Sequence, residues 1–218
     1  MRFRTLCLLS LILLSACVGP RHGGRPHGQR PQGRPAANPD RDLRQCLVDL
    51  GQAGARYSLL PDRYFAGGCS ATGAVQLNAV GIPISNLGAI KCRTAERLTL
   101  WTREAVQSAA SAWLDAQVVK IESFGTYSCR PVNGVEGARL SQHAFANAVD
   151  ISAFILSDGR RITVKDGWNG SDEHVRTFLH TVFRAACRRF NIVIGPDGDR
   201  QHYNHFHFDM GPNGPYCH

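Results

Sequence analysis

Two short stretches carry the residues whose types and spacing could do chemistry. One runs from Ser141 through His143 and Ala146 to Asp150; the other holds His202, His205 and His207. Together they contain four of the chain's nine histidines and one aspartate. His143 and Asp150 are seven residues apart, which suits a loop that supplies one ligand and runs into a strand that supplies the next. His205 and His207 are two apart, so on a strand both point to the same face. An HxH pair alone often means two solvated or hydrogen-bonded histidines. The joint presence of both stretches in one domain favours a zinc site. A catalytic zinc takes three protein ligands and keeps one position open. The set has one group more than that, which leaves a histidine for proton transfer.

The elements that must position these groups are legible in outline. Leu43, Leu47 and Leu50 recur at helical spacing, with Gly51 as a C-cap. Two short extended pieces follow, 57–61 and 75–77. Thr94 to Asp115 reads as a helix capped by Thr94, with Leu98, Trp101, Ala105, Ala109, Ala112 and Trp113 on its packed face. Strands are expected at 118–121 and 149–154, with a hairpin turn at 157–159 and its return at 161–164. A second helix spans 172–190, with Val175, Phe178, Leu179, Val182, Phe183 and Ala186 inward, and strands follow at 191–194 and 206–209. Helices followed by hairpin-linked strands predict an α+β fold with a small antiparallel sheet and flanking helices.

The start of the chain predicts export. Arg2 and Arg4 precede an apolar run, Leu6–Leu14, that is too short to span a bilayer as a helix. Leu14-Ser15-Ala16-Cys17 resembles a lipobox, so residues 1–16 are expected to be a signal peptide and Cys17 the lipidated residue. Val18 after the cysteine fits sorting to the periplasmic face of the outer membrane. Residues 17–40 are rich in glycine, proline and arginine, a tether that cannot bury a core. The folded domain is expected over 41–218. Its six cysteines, Cys46, Cys69, Cys92, Cys129, Cys187 and Cys217, imply disulfides in an oxidising compartment. Cys187 with Cys217 is the expected pair among 15 connectivities. No CxxC pair points to a zinc ribbon. The net charge of +8 is concentrated in the first 40 residues, which hold six arginines and one aspartate. The remaining domain is only weakly basic, and a nucleic-acid partner is not expected.

Several motifs carry a resemblance. Ser141-x-His143-x6-Asp150 resembles the SxHxxGxAxD motif of the LAS metallopeptidases, which include D-Ala-D-Ala metallopeptidases and the hedgehog amino domain. His202-x2-His205-x-His207 is similar to the closing motif of the penicillin-insensitive murein endopeptidase branch. The span from Cys46 to Cys217 resembles the bacterial extensin-like C-terminal domain family. That likeness rests on CLxxL at Cys46, Gly68-Cys69, the 127–130 segment Tyr-Ser-Cys-Arg, Asp158-Gly-Arg160, Gly195-Pro-Asp197 and the 205–209 segment His-Phe-His-Phe-Asp.

The resemblance implies a hedgehog/DD-peptidase-like, disulfide-stapled fold. It implies His143, Asp150 and His207 as Zn2+ ligands and His205 as the base. Arg130 would hold the carbonyl oxygen, and His202 would be a further proton-transfer group. Ser141 and Asp209 would orient the ligands from behind. Ala146 stands where the motif has glycine, and the glutamate base of one branch has no counterpart. The expected function is zinc-dependent hydrolysis of peptidoglycan peptides by a protein held at the membrane through Cys17. The alternative is a non-catalytic, zinc-containing lipoprotein that binds the cell wall.

Overall fold

The computed structural model describes residues 39–218. The expected signal peptide, Cys17 and the linker up to residue 38 lie outside the described residues. Helix α1 (Pro39–Gln52) begins inside the expected linker and buries Leu50. It does not end on Gly51; the turn falls at Gly54, whose φ of +87° only glycine adopts freely. There the Arg103 guanidinium donates to the Ala53 carbonyl at 2.8 Å. Strands β1 (Arg56–Leu59), β2 (Arg63–Tyr64), β3 (Ser70–Ala71), β4 (Ala74–Ala79) and β5 (Ile90–Lys91) follow. They form a three-stranded sheet in the order β1-β4-β5 and a separate β2-β3 ladder.

The expected helix from 94 to 115 is found as α2 (Cys92–Leu100), a π-helical segment (Trp101–Val106) and α3 (Gln107–Leu114). Thr94 does not cap it. Lys91 occupies that place, and the buried Thr94 hydroxyl donates to Asn147 Oδ1 at 2.8 Å. The π turn shifts the packed face by one residue, because five residues separate buried Trp101 from buried Val106. Val106, Ala110 and Leu114 therefore face the core, and Trp113 is left 41 % exposed. Its expected place beside Trp101 on one face is corrected.

The main sheet holds β6 (Val118–Gly125), β7 (Ala148–Leu156), β8 (Arg161–Thr163), β9 (Ile192–Ile194), β10 (Phe206–Asp209) and β11 (Tyr216–Cys217) in the order β11-β9-β10-β7-β6. Strand β8 extends the same edge of β7 that β10 pairs along its first half. Among these strand pairs only β11 on β9 is parallel. The short helix α4 (Val164–Gly167) and the long α5 (Glu173–Cys187) follow β8, and the Asp172 carboxylate caps α5. Val149 and Ile151 pair with Phe208 and Phe206, and these face the helices. Trp101 packs edge-on to Phe208 at 5.1 Å between ring centres and donates to the Val182 carbonyl.

Ser123 pairs with Ile151 but Glu122 pairs with Ala153, so Ser152 is the extra residue of a β-bulge and the alternation changes phase. Phe154, after the bulge, therefore also packs toward Trp101 and Phe178. Asp150, before it, is left on the other face.

Three disulfides staple the fold. Cys46–Cys92 ties α1 to α2, and Cys69–Cys129 ties the start of β3 to the 127–130 segment. Cys187–Cys217, the expected pair, ties α5 to β11. The α+β expectation holds. Among the described residues no helix is long and apolar enough to cross a membrane.

Candidate metal centre

Local structure explains why the histidine and the aspartate meet. Ser141 caps a single 3₁₀ turn, Gln142–Phe145, its hydroxyl accepting from the His143 amide at 3.4 Å. The turn ends at Ala146 in a left-handed conformation, φ +53°, and the chain enters β7 two residues later. This is the position at which the motif has glycine, and its backbone shows why. The Ala146 methyl lies in a small cluster with Ala71 and Ala74, so it does not occupy the approach to the cluster.

Asp150 on β7 stands opposite His207 on β10 and beside Gly125 on β6. His207 Nδ1 is 2.9 Å from Asp150 Oδ1, His143 Nε2 is 3.1 Å from the same oxygen, and the two ring nitrogens are 3.1 Å apart. All three side chains are buried, and they form a group that could hold a metal ion. Two imidazoles and a carboxylate suit a borderline divalent cation such as zinc. His205 falls outside the triangle, its Nε2 3.6 Å from Asp150 Oδ1. It lies in the turn just before β10, so its position beside His207 is not a same-face strand position.

Each of the four imidazoles has its other nitrogen bound to a protein oxygen. His143 Nδ1 meets the Thr126 carbonyl at 3.0 Å, and His207 Nε2 meets Asp209 Oδ2 at 2.9 Å. His205 Nδ1 meets Asn204 Oδ1 at 2.8 Å, and His202 Nδ1 meets Asp199 Oδ1 at 2.7 Å. In His143, His202 and His205 these oxygens favour the tautomer that leaves the other nitrogen as a free base. In His207, Asp209 backs the nitrogen that faces away from Asp150, the support that metal-ligating histidines characteristically have. Asp209 is itself held, its Oδ1 accepting from the Gly211 amide at 2.7 Å.

Without a metal the cluster is strongly polarised. Burial alone would raise the Asp150 carboxyl, but hydrogen bonds and charge from His143 and His207 hold it well below the usual carboxylate range. Burial would lower His207, and the bonds from Asp150 and Asp209 instead raise it to about 9. His205 is pushed down to about 4, chiefly by burial and against the pull of Asp150. It is a neutral base at neutral pH. Burial also lowers His202, partly offset by Asp199.

The residues singled out from sequence converge. His202 lines the same cleft as His143, His207, Ser141, Asp209 and Arg130. Arg130 sits at its rim, Nη2 4.0 Å from Asp150 Oδ2, with 42 % of its side chain exposed. The six domain cysteines all serve as disulfides, and Cys17 lies outside the described residues. Sequence reading missed Thr126, Asp199 and Asn204. Thr126 acts through its carbonyl, which no residue type betrays. Asp199 and Asn204 lie within three residues of the histidines they hold, a local signal that could have been read.

An α+β domain stapled by three disulfides, with a buried His-Asp-His cluster at one face of its sheet, is thus the class that fold and site define. The chain belongs to the extensin-like protein C-terminus family, whose family model matches residues 44–218. No curated protein and no solved structure matches it.

Proposed function

We propose that the protein is a zinc-dependent peptidase acting on the peptides of peptidoglycan, exported and held at the periplasmic face of the outer membrane through Cys17. The observation that carries this reading is the buried triangle of His143 Nε2, Asp150 Oδ1 and His207 Nδ1, with edges of 2.9–3.1 Å and a neutral imidazole beside it. The likeness of the 141–150 and 202–207 stretches to the LAS metallopeptidases supports it further.

Zinc bound by these three residues supplies Lewis acidity toward a carbonyl oxygen and makes water nucleophilic near neutral pH. His205 takes the proton of the attacking water at Nε2, because Asn204 already engages Nδ1. Arg130, its Nη2 4.0 Å from Asp150 Oδ2, would hold the carbonyl oxygen as negative charge develops. His202, its ring centre 5.0 Å from that of His205 and its Nδ1 fixed by Asp199, would receive that proton at Nε2 and pass it to the leaving amine.

The test incubates the purified full chain with sacculi, with and without chelator, followed by separation of the released muropeptides. Metal-dependent cleavage of a peptide linkage is expected. A zinc-loaded protein that releases nothing rejects the reading. Sacculus binding that survives His205→Ala without cleavage by the parent protein would establish the alternative, a wall-binding lipoprotein.

A further inference from the structure

A groove of about 530 Å³ opens beside the metal cluster. Phe65 and Tyr127, with ring centres 5.1 Å apart, contribute to one wall and Phe124 to another. Small residues, Ala71, Gly88 and Ala89, leave it open between them. The lining contains one cation, Arg63, and no acidic side chain among the described residues. Arg63 is exposed and forms no ion pair among the described residues. Asp62, next to it, has one carboxylate oxygen accepting from the Gly73 amide at 2.8 Å. Asn86 donates through Nδ2 to the Ser123 carbonyl at 3.0 Å, which leaves its Oδ1 as an acceptor for a peptide N–H.

The groove is continuous with the cluster through two contacts. Thr126 lines it and accepts the His143 bond through its carbonyl. Phe124 lines it and packs edge-on to His205 at 5.5 Å between ring centres. The same segment reaches Arg130 at the rim of the metal cleft. The Cys69–Cys129 disulfide clamps the β2–β3 wall to this segment and so limits how far the groove can widen.

We infer that this groove binds the non-reacting end of a peptide of small residues that carries a free carboxylate, with Arg63 as the carboxylate partner. Apolar, aromatic walls suit small side chains and an extended backbone, and a guanidinium in a lining that holds no acidic side chain suits an anion. The inference rests on the peptidase reading and deepens it, because it assigns the substrate a free carboxylate on the Phe124 side of the reacting bond.

The test uses the full chain stripped of metal, so that no carboxylate can bind through a metal ion. Tri-alanine and tri-alanine amide, each in L and D forms, are titrated while the Phe124 and Tyr127 resonances are followed by nuclear magnetic resonance. The acid of at least one form should bind roughly tenfold more tightly than its amide, the usual effect of one charge-assisted pair. Arg63→Gln should bring the two within about twofold of each other, and Arg63→Lys should keep part of the difference. Arg63 is exposed, so neither variant threatens folding. Equal binding of acid and amide, a preference that survives Arg63→Gln, or no shift at these resonances overturns the inference. So would shifts that depend on protein concentration alone, which would mark a second copy as the occupant. A carboxylate preference without sacculus cleavage would sink the peptidase reading and leave the groove; cleavage without the preference would do the reverse.

Discussion

His207 on β10 stands directly opposite Asp150 on β7, with Nδ1 2.9 Å from Oδ1, while Asp209 Oδ2 holds Nε2 at the same distance. One imidazole thus lies between two buried carboxylates, and without metal it is held as the imidazolium. A metal ion held by this cluster would compete with that proton for the same nitrogen.

That competition fixes a pH dependence. His207 is raised to about 9 in the folded, metal-free protein, above the free imidazole value of about 6.5. Its contribution to stability is therefore complete below about pH 6.5 and is lost as pH rises through about 9. Metal must displace this proton, so apparent zinc affinity should rise about tenfold per pH unit between pH 7 and 9. Calorimetric titration in buffers of different ionisation enthalpy should count about one proton released per zinc at pH 7.

Asp150→Asn keeps the shape of the side chain and removes the charge shared by two histidines. The metal-free variant should lose about 3 kcal/mol, the cost of breaking a buried charge pair from one side. Urea denaturation measures this loss. The zinc content of the purified protein should fall in the same variant, because the oxygen corner of the triangle has become a neutral amide.

Asp209 touches the cluster only through His207. Asp209→Ala should lower zinc affinity by about 10- to 100-fold, the usual effect of removing the group behind a ligating imidazole. It should leave the three ligand positions intact. A competition assay with a chromophoric chelator distinguishes this weakening from outright loss.

Ala146 occupies a left-handed position that an L-residue adopts at a cost of about 1 kcal/mol. Its methyl is buried against Ala71 and Ala74, a gain of about 0.8 kcal/mol. The two nearly cancel, so Ala146→Gly should change stability by less than about 0.5 kcal/mol and leave zinc affinity unchanged. Ala146→Val, β-branched at positive φ, should destabilise by several times that amount. Thermal denaturation of both variants checks the pair.

How far the sequence disclosed these features depended on the kind of pattern that carried them. Periodicity placed α5 and its buried face from Phe178 to Ala186, and residue pattern placed β7 and β10. Spacing alone offered four histidines and one aspartate, and the resemblance singled out His143, Asp150 and His207. Periodicity failed at Trp113, because nothing in residues 101–106 announces an i→i+5 turn. It failed again at Ser152, where a bulge depends on the partner strand. Thr94 looked like a cap by residue type, yet tertiary packing uses its hydroxyl to hold Asn147, which in turn donates to Gln142 of the His143 turn at 2.7 Å. The glycine of the motif could be missing because Ala146 bears a modest strain and has a small pocket for its methyl. That relation becomes visible only when β3, β4 and the turn are packed together.

Asn204 separates positioning from ligation within the cluster. Its Oδ1 accepts from His205 Nδ1 at 2.8 Å and leaves Nε2 toward Asp150, 3.6 Å away. Asn204→Ala frees the imidazole to rotate or to take the other tautomer, without removing any atom of the metal triangle. Zinc content and stability should therefore stay near those of the parent protein. Hydrolysis of sacculus peptides should fall by about 10- to 100-fold in kcat, with little change in KM, because a misoriented base weakens proton transfer and not binding. Asn204→Asp should restore the bond and part of the rate, since a carboxylate accepts from Nδ1 as an amide oxygen does. Equal losses in both variants would mean that Asn204 serves the turn and not the tautomer.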